Sequence, residues 1–168
     1  MFSVSYIFMQ DELRMLSREE YEIWLKSFPE NYCAFCDWKK NQIILKEGKH
    51  WIWIANRSPY WKYHTIFFTK RHLKEITELS DEEMKEFFEM YSYAISKFRN
   101  AKLKRDDGSE IKKYVFFWRL RDDLLDRISG NIRPDHFHVH LTPDKDHFWD
   151  STIDRNAYKI DIVKALGS

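Results

Sequence analysis

The run Asp135-His136-Phe137-His138-Val139-His140-Leu141-Thr142 constrains this chain more than any other stretch of it. Side chains alternate faces along a strand, so residues two apart share a face. His136, His138 and His140 therefore stand on one side, and Phe137, Val139 and Leu141 on the other, toward the core. Three of the seven histidines fall within five residues, and each imbedded imidazole needs polar partners. A solvent-facing strand with incidental histidines is the plain alternative. A single ion held by all three is weakened by geometry. The outer rings lie about 13 Å apart along a flat strand, whereas zinc–nitrogen bonds are near ~2 Å. One histidine of the row can serve a metal while the next does chemistry.

The rest of the chain supplies partners for such a strand. Ser17-Arg18-Glu19-Glu20 has the form of a capping box, followed by Tyr21, Trp24, Leu25 and Phe28 at helical spacing and by Pro29. Gln42 to Leu45 and Trp51 to Ala55 are short β-branched or aromatic runs around Glu47-Gly48-Lys49, the pattern of a hairpin. His64 to Thr69 is a third strand. Ser80-Asp81-Glu82-Glu83 opens a second capping box and a long helix. Its apolar stripe of Met84, Phe87, Phe88, Tyr91, Ala94, Ile95 and Phe98 runs to Arg99-Asn100. After a polar loop through Asp107-Gly108 come Tyr114 to Trp118 as a fourth strand and Phe137 to Thr142 as a fifth, ended by Pro143. A C-terminal helix from about Arg155 to Leu166 completes the pattern. Three strands, a helix and two strands make an α+β order rather than a βαβ alternation.

Composition narrows the function classes. The 168 residues suit one compact domain, here divided as a helical extension over 1–30, the main unit over 31–150 and a helical tail over 151–168. Net charge is +1, so no global field favours long nucleic acid, and phosphate recognition must be local. No stretch approaches the ~18 apolar residues of a membrane span. The opening residues lack the basic flank and cleavage site of a signal peptide. Two cysteines exclude a disulfide framework, and a reducing cytoplasm is the natural setting. Cys33-Ala34-Phe35-Cys36 is a Cys-x-x-Cys that supplies two of the four ligands of tetrahedral zinc; buried thiols or a redox pair are its other readings.

The histidine run resembles the signature of the histidine triad superfamily, His-φ-His-φ-His-φ-φ, with Thr142 in the last hydrophobic place. Three further segments share the resemblance. His64-Thr65-Ile66-Phe67-Phe68-Thr69-Lys70-Arg71-His72 is similar to Gly-His-φ-φ-φ-φ-Pro-Lys-x-His, with Tyr63 in place of the Gly and Thr69 in place of the Pro. Asn56-Arg57-Ser58-Pro59 is similar to the loop Asp-x-x-Pro that meets the nucleoside, and Leu79 to Glu83 to the start of the central helix. The similarity spans roughly Cys33 to Pro143. It implies a five-stranded antiparallel sheet with one long helix, and two-fold dimers as the family's common assembly.

The resemblance also implies roles. One branch of the superfamily carries a Cys-x-x-Cys and a structural zinc, which assigns Cys33, Cys36, His72 and His136 as ligands. His138 becomes the nucleophile on a nucleotide α-phosphate, with its other ring nitrogen held by a main-chain carbonyl. His140 would stabilise charge at the phosphate, and His64 would support it or serve as a structural histidine. Asn56 takes the place of the acidic residue that holds the ribose hydroxyls. Ile54 and Trp53 flank that loop as base-pocket or core residues. Arg133 stands where family hydrolases carry a phosphate-contacting Ser; it could clamp phosphate or pair with Asp135. His147 is a further candidate for contact with a leaving group.

His140, rather than Gln, in the third triad position disfavours the galactose-1-phosphate uridylyltransferase branch. The expected function is thus a nucleotide hydrolase acting on a phosphoramidate or dinucleoside polyphosphate through a nucleotidyl-histidine. A nucleotidyltransferase using the same covalent step, and a nucleotide-binding module without catalysis, are the alternatives.

Overall fold

The computed structural model describes residues 15–29, 31–59, 61–105, 107–118, 136–143 and 162–166. The first helix, α1 (Arg18–Lys26), is capped by Ser17 in a reciprocal box with Glu20. A short helix that the sequence pattern does not announce, α2 (Trp38–Asn41), follows the Cys-x-x-Cys turn. Then come β1 (Ile43–Glu47), β2 (Trp51–Ala55) and β3 (Thr65–Thr69), and a single 3₁₀ turn at Ile76–Glu78. The long helix α3 (Asp81–Asn100) has the expected Ser80–Glu83 box at its start. Two more strands, β4 (Tyr114–Phe117) and β5 (His138–Pro143), and a short helix α4 (Ile162–Ala165) complete the described elements. Among the described residues no helix is long and apolar enough to cross a membrane.

The strands form one sheet in the order β1-β2-β3-β5-β4 with all neighbours antiparallel. The expected five-stranded antiparallel sheet with one long helix is therefore observed. Its middle is held by β3 and β5, in register Phe68↔His138, Phe67↔Val139 and Ile66↔His140. Trp53 is paired with Phe67, so a row Trp53–Phe67–Val139 crosses the sheet on one face. The row Ile54–Ile66–His140–Phe117 crosses it on the other. The histidine alternation thus sorts the two faces as the pattern predicts.

On the first face lies the main core, in which α3 contributes Phe87, Met90, Ala94 and Phe98 against Trp51, Trp53, Phe67, Phe137, Val139 and Leu141. One expectation is corrected here. Phe88, assigned to the apolar stripe, is 54% exposed, and Met90 takes the inward place. The cause is angular: Met90 lies three residues after Phe87 and four before Ala94, on the same helical face. Gly48 lets α3 approach the hairpin, since a Cβ there would lie 2.0 Å from Glu86 Oε1. That carboxylate accepts the main-chain N–H groups of His50 and Trp51.

On the second face Phe35 and Trp38 pack with Ile52, Ile54, Ile66 and Phe68. The Cys-x-x-Cys turn and α2 therefore roof the side of the sheet that carries the histidines. Helix α1 closes the neighbouring loop. Leu16 donates its N–H to Arg57 O at 2.6 Å, and the Arg57 guanidinium lies over the Trp24 ring.

Candidate metal centre and histidine site

Four side chains from three segments converge at one end of the roof. The ligand atoms of Cys33, Cys36, His72 and His136 all lie within 4.8 Å of one another. Cys36 Sγ is 3.1 Å from His72 Nδ1 and 3.7 Å from His136 Nδ1, and Cys33 Sγ is 3.4 Å from His136 Nδ1. Bonds of ~2.3 Å to sulfur and ~2.05 Å to nitrogen in a tetrahedron put sulfur and nitrogen about 3.5 Å apart. The set therefore fits a zinc ion in size and in donor chemistry.

Tautomers agree with that fit. His136 Nε2 lies 2.7 Å from Thr69 O, to which only an N–H can donate. The proton is on Nε2, and Nδ1 is left with its lone pair toward the sulfurs. Burial pushes the His136 pKa down to about 4 and, with no cation beside it, the Cys33 thiol up to about 12. A divalent cation reverses the second effect, because a coordinating thiol is deprotonated outright. His72 is brought in by its neighbour. Arg71 makes a forked pair with Glu83, Nε to Oε1 at 3.1 Å and Nη2 to Oε2 at 2.8 Å, and also donates to Glu78 O.

The other two histidines of the row point into a second group. His138 is half-buried, its Nδ1 2.8 Å from His136 O. A carbonyl cannot donate, so Nδ1 carries the proton and Nε2 the lone pair. Phe35 contacts the His138 ring edge to face at 5.3 Å. His140 is buried, stacked on Phe117 with centroids 4.7 Å apart, and 4.9 Å from the His138 ring. His64, only 1% exposed, places Nε2 2.8 Å from His140 Nδ1. His138, His140 and His64 are thus in one contact chain.

Asn56 joins this chain rather than standing apart from it. Its main-chain N–H donates to His64 O, and its side-chain nitrogen lies 3.1 Å from His64 Nδ1. Ile54 is on the histidine face but buried in the Phe35–Trp38 cluster, and Trp53 is in the main core on the opposite face. Arg133, Asp135 and His147 lie outside the described residues. Sequence reasoning missed two parts of the site. Phe35, the roof over His136 and His138, was hidden inside a motif read only for its sulfurs, although an aromatic between two ligands has few places to go. The Arg71–Glu83 fork had no signal beyond opposite charge.

No family model matches the chain. A stretch of 69 residues is 32% identical to galactose-1-phosphate uridylyltransferase of Haemophilus influenzae, covering 38% of this chain and 20% of that protein. The chain thus spans about a fifth of the curated relative's length. Among solved structures, the histidine triad nucleotide-binding protein of Candida albicans superposes with a TM-score of 0.53 at 19% identity, over 69% of this chain and 77% of that one. A zinc-bound histidine triad family protein from Mycobacterium smegmatis does so with 0.50 at 16% identity, over 80% and 93%. At these identities the likeness is one of fold. With the Cys-x-x-Cys group in place, the resemblance seen in the sequence extends to the architecture.

Proposed function

We propose that this chain, which has the fold of the histidine triad proteins, is a nucleotide hydrolase that uses His138 as its nucleophile. One observation carries the reading most directly. The His136 carbonyl holds Nδ1 of His138 as the N–H side, so Nε2 carries the lone pair that a nucleophile needs. Neutral imidazole is nucleophilic near pH 7. Nε2 attacks the α-phosphorus of a nucleotide phosphoramidate or dinucleoside polyphosphate. A P–N bond forms as the bond to the leaving group breaks, and the leaving group takes up a proton from solvent, which the water of the second step returns. Water then cleaves the P–N bond, releasing a nucleoside monophosphate and restoring neutral His138.

His140 stands beside His138 and stabilises charge on the phosphoryl oxygens. The loop that follows β2, at Asn56, flanks the nucleoside, with Ile54 packed beneath it in the core. Zinc, held by Cys33, Cys36, His72 and His136, is structural: four protein ligands close its shell and leave no position for activated water. The Zn-bound neighbour and the fit of the four ligands support it.

The test is a screen of nucleoside phosphoramidates and dinucleoside polyphosphates with wild type and His138→Ala. Release of a nucleoside monophosphate by wild type alone is the expected result. The match to the uridylyltransferase favours a second reading, transfer to an acceptor other than water. In that case adding a sugar 1-phosphate diverts the nucleotidyl group and lowers the yield of free monophosphate.

A further inference from the structure

We infer that Asn56 is a positioning residue that sets which nitrogens of His64 and His140 carry protons. The argument starts at Ser58, whose main-chain N–H lies 3.0 Å from the side-chain oxygen of Asn56. A main-chain N–H can only donate, so the atom facing it must be Oδ1, and the NH₂ end of the amide faces His64. That nitrogen is 3.1 Å from His64 Nδ1 and 3.5 Å from Nε2. Nε2 is already engaged with His140 Nδ1 at 2.8 Å, so the amide's acceptor is Nδ1. A proton on Nδ1 would instead set two donors against each other in a site where Asn56, His64 and His140 are all buried.

The consequence runs down the chain. His64 carries its proton on Nε2 and donates it to His140 Nδ1. His140 is then protonated on Nε2 and acts from that nitrogen as a donor, the form that stabilises negative charge on a phosphoryl oxygen. An aspartate at position 56 would invert every step. A carboxylate only accepts, so His64 would protonate Nδ1, Nε2 would accept from His140 Nδ1, and His140 Nε2 would become an acceptor facing an anion. The residue that departs from the family's loop thus fits this chain's His64–His140 pair. The catalytic consequence rests on the hydrolase reading above, but the proton placement does not.

The experiment uses the zinc-loaded full chain labelled with ¹⁵N-histidine, with long-range ¹H–¹⁵N correlations recorded above neutrality and assigned by single histidine variants. The expected spectrum shows His64 and His140 both as Nε2–H tautomers in wild type and both as Nδ1–H tautomers in Asn56→Asp. An Nδ1–H His64 in the wild-type spectrum would overturn the inference without recourse to any variant. In steady-state assays Asn56→Asp is expected to lower kcat by roughly 10-fold or more with KM changed far less. Unchanged tautomers in Asn56→Asp would overturn the positioning role, tautomers that switch while kcat holds would overturn its catalytic consequence, and either leaves the nucleophilic role of His138 standing.

Discussion

The carbonyl of His136 holds Nδ1 of His138 at 2.8 Å, while the ring of the same residue offers its own Nδ1 to two cysteine sulfurs at 3.4 and 3.7 Å. One residue therefore joins the candidate metal centre to the candidate nucleophile. His136→Ala should lose metal and stability, while its main-chain carbonyl still holds Nδ1 of His138. His138→Ala should lose activity yet retain metal. Metal content and melting temperature measured side by side on the two variants separate these outcomes; equal metal loss in both would contradict the division of labour.

Zinc itself is the next expectation. Protein purified without a metal-affinity tag should hold about one zinc per chain, because four ligand atoms of the type zinc takes lie within 4.8 Å of one another. Elemental analysis checks this. The double variant Cys33→Ser/Cys36→Ser should lose the metal, and its melting temperature should fall by several degrees, at roughly 2–4 °C per kcal/mol for a chain of this size. Full zinc retention in that variant would refute the ligand set.

Glu83 ties the segment before His72 to the start of α3, and its charge matters. The Arg71 hydrogen bonds, followed by the Ser80 N–H, hold its carboxyl below the ordinary range. Glu83→Gln should cost about 1–2 kcal/mol near neutrality. A depressed folded pKa gives stability that is present above the unfolded value of about 4.3 and lost as pH falls through the folded one. The gap between wild type and Glu83→Gln, measured by denaturant unfolding, should therefore narrow on acidification. A gap that widens would contradict the pairing.

Tyr63 has a φ of 61°, in the left-handed region. Side chains with a Cβ lose roughly 1–2 kcal/mol there. Comparing Tyr63→Gly with Tyr63→Ala removes the same ring from both. The glycine variant should be the more stable by about 1 kcal/mol, and the reverse order would show that φ relaxes on substitution.

What was legible in the chain follows from periodicity. The alternation through His136 to His140 sorted both faces of β5 correctly, and the two capping boxes placed the starts of α1 and α3, because these signals are local. Trp38–Asn41 was not legible, since a helix of four residues has too little periodicity to register. Phe88 follows the inward Phe87 by one position, about 100° round the helix, so it faces out although it is apolar. The bulge in β1, where Ile44 pairs with Ile54 but Lys46 with Trp53, depends on a partner strand and has no signature of its own. The metal ligands were legible only through resemblance, as three distant segments carry them. The closeness of His64 to His140 has no local signal, because a separation of 76 positions hides a contact made only by pairing β3 with β5.

The covalent step is the centre of the account, and a rapid acid-free quench measures it. Wild-type protein mixed with a nucleotide substrate labelled at the α-phosphate should retain label on the chain. The bond should be labile to acid and stable to alkali, as phosphorus on an imidazole nitrogen is, and peptide mapping should place it on His138. His138→Ala should carry no label and lose several orders of magnitude in rate, while His140→Ala should lose on the order of ~10²-fold. Label that persists in His138→Ala, or turnover undiminished there, would contradict the mechanism.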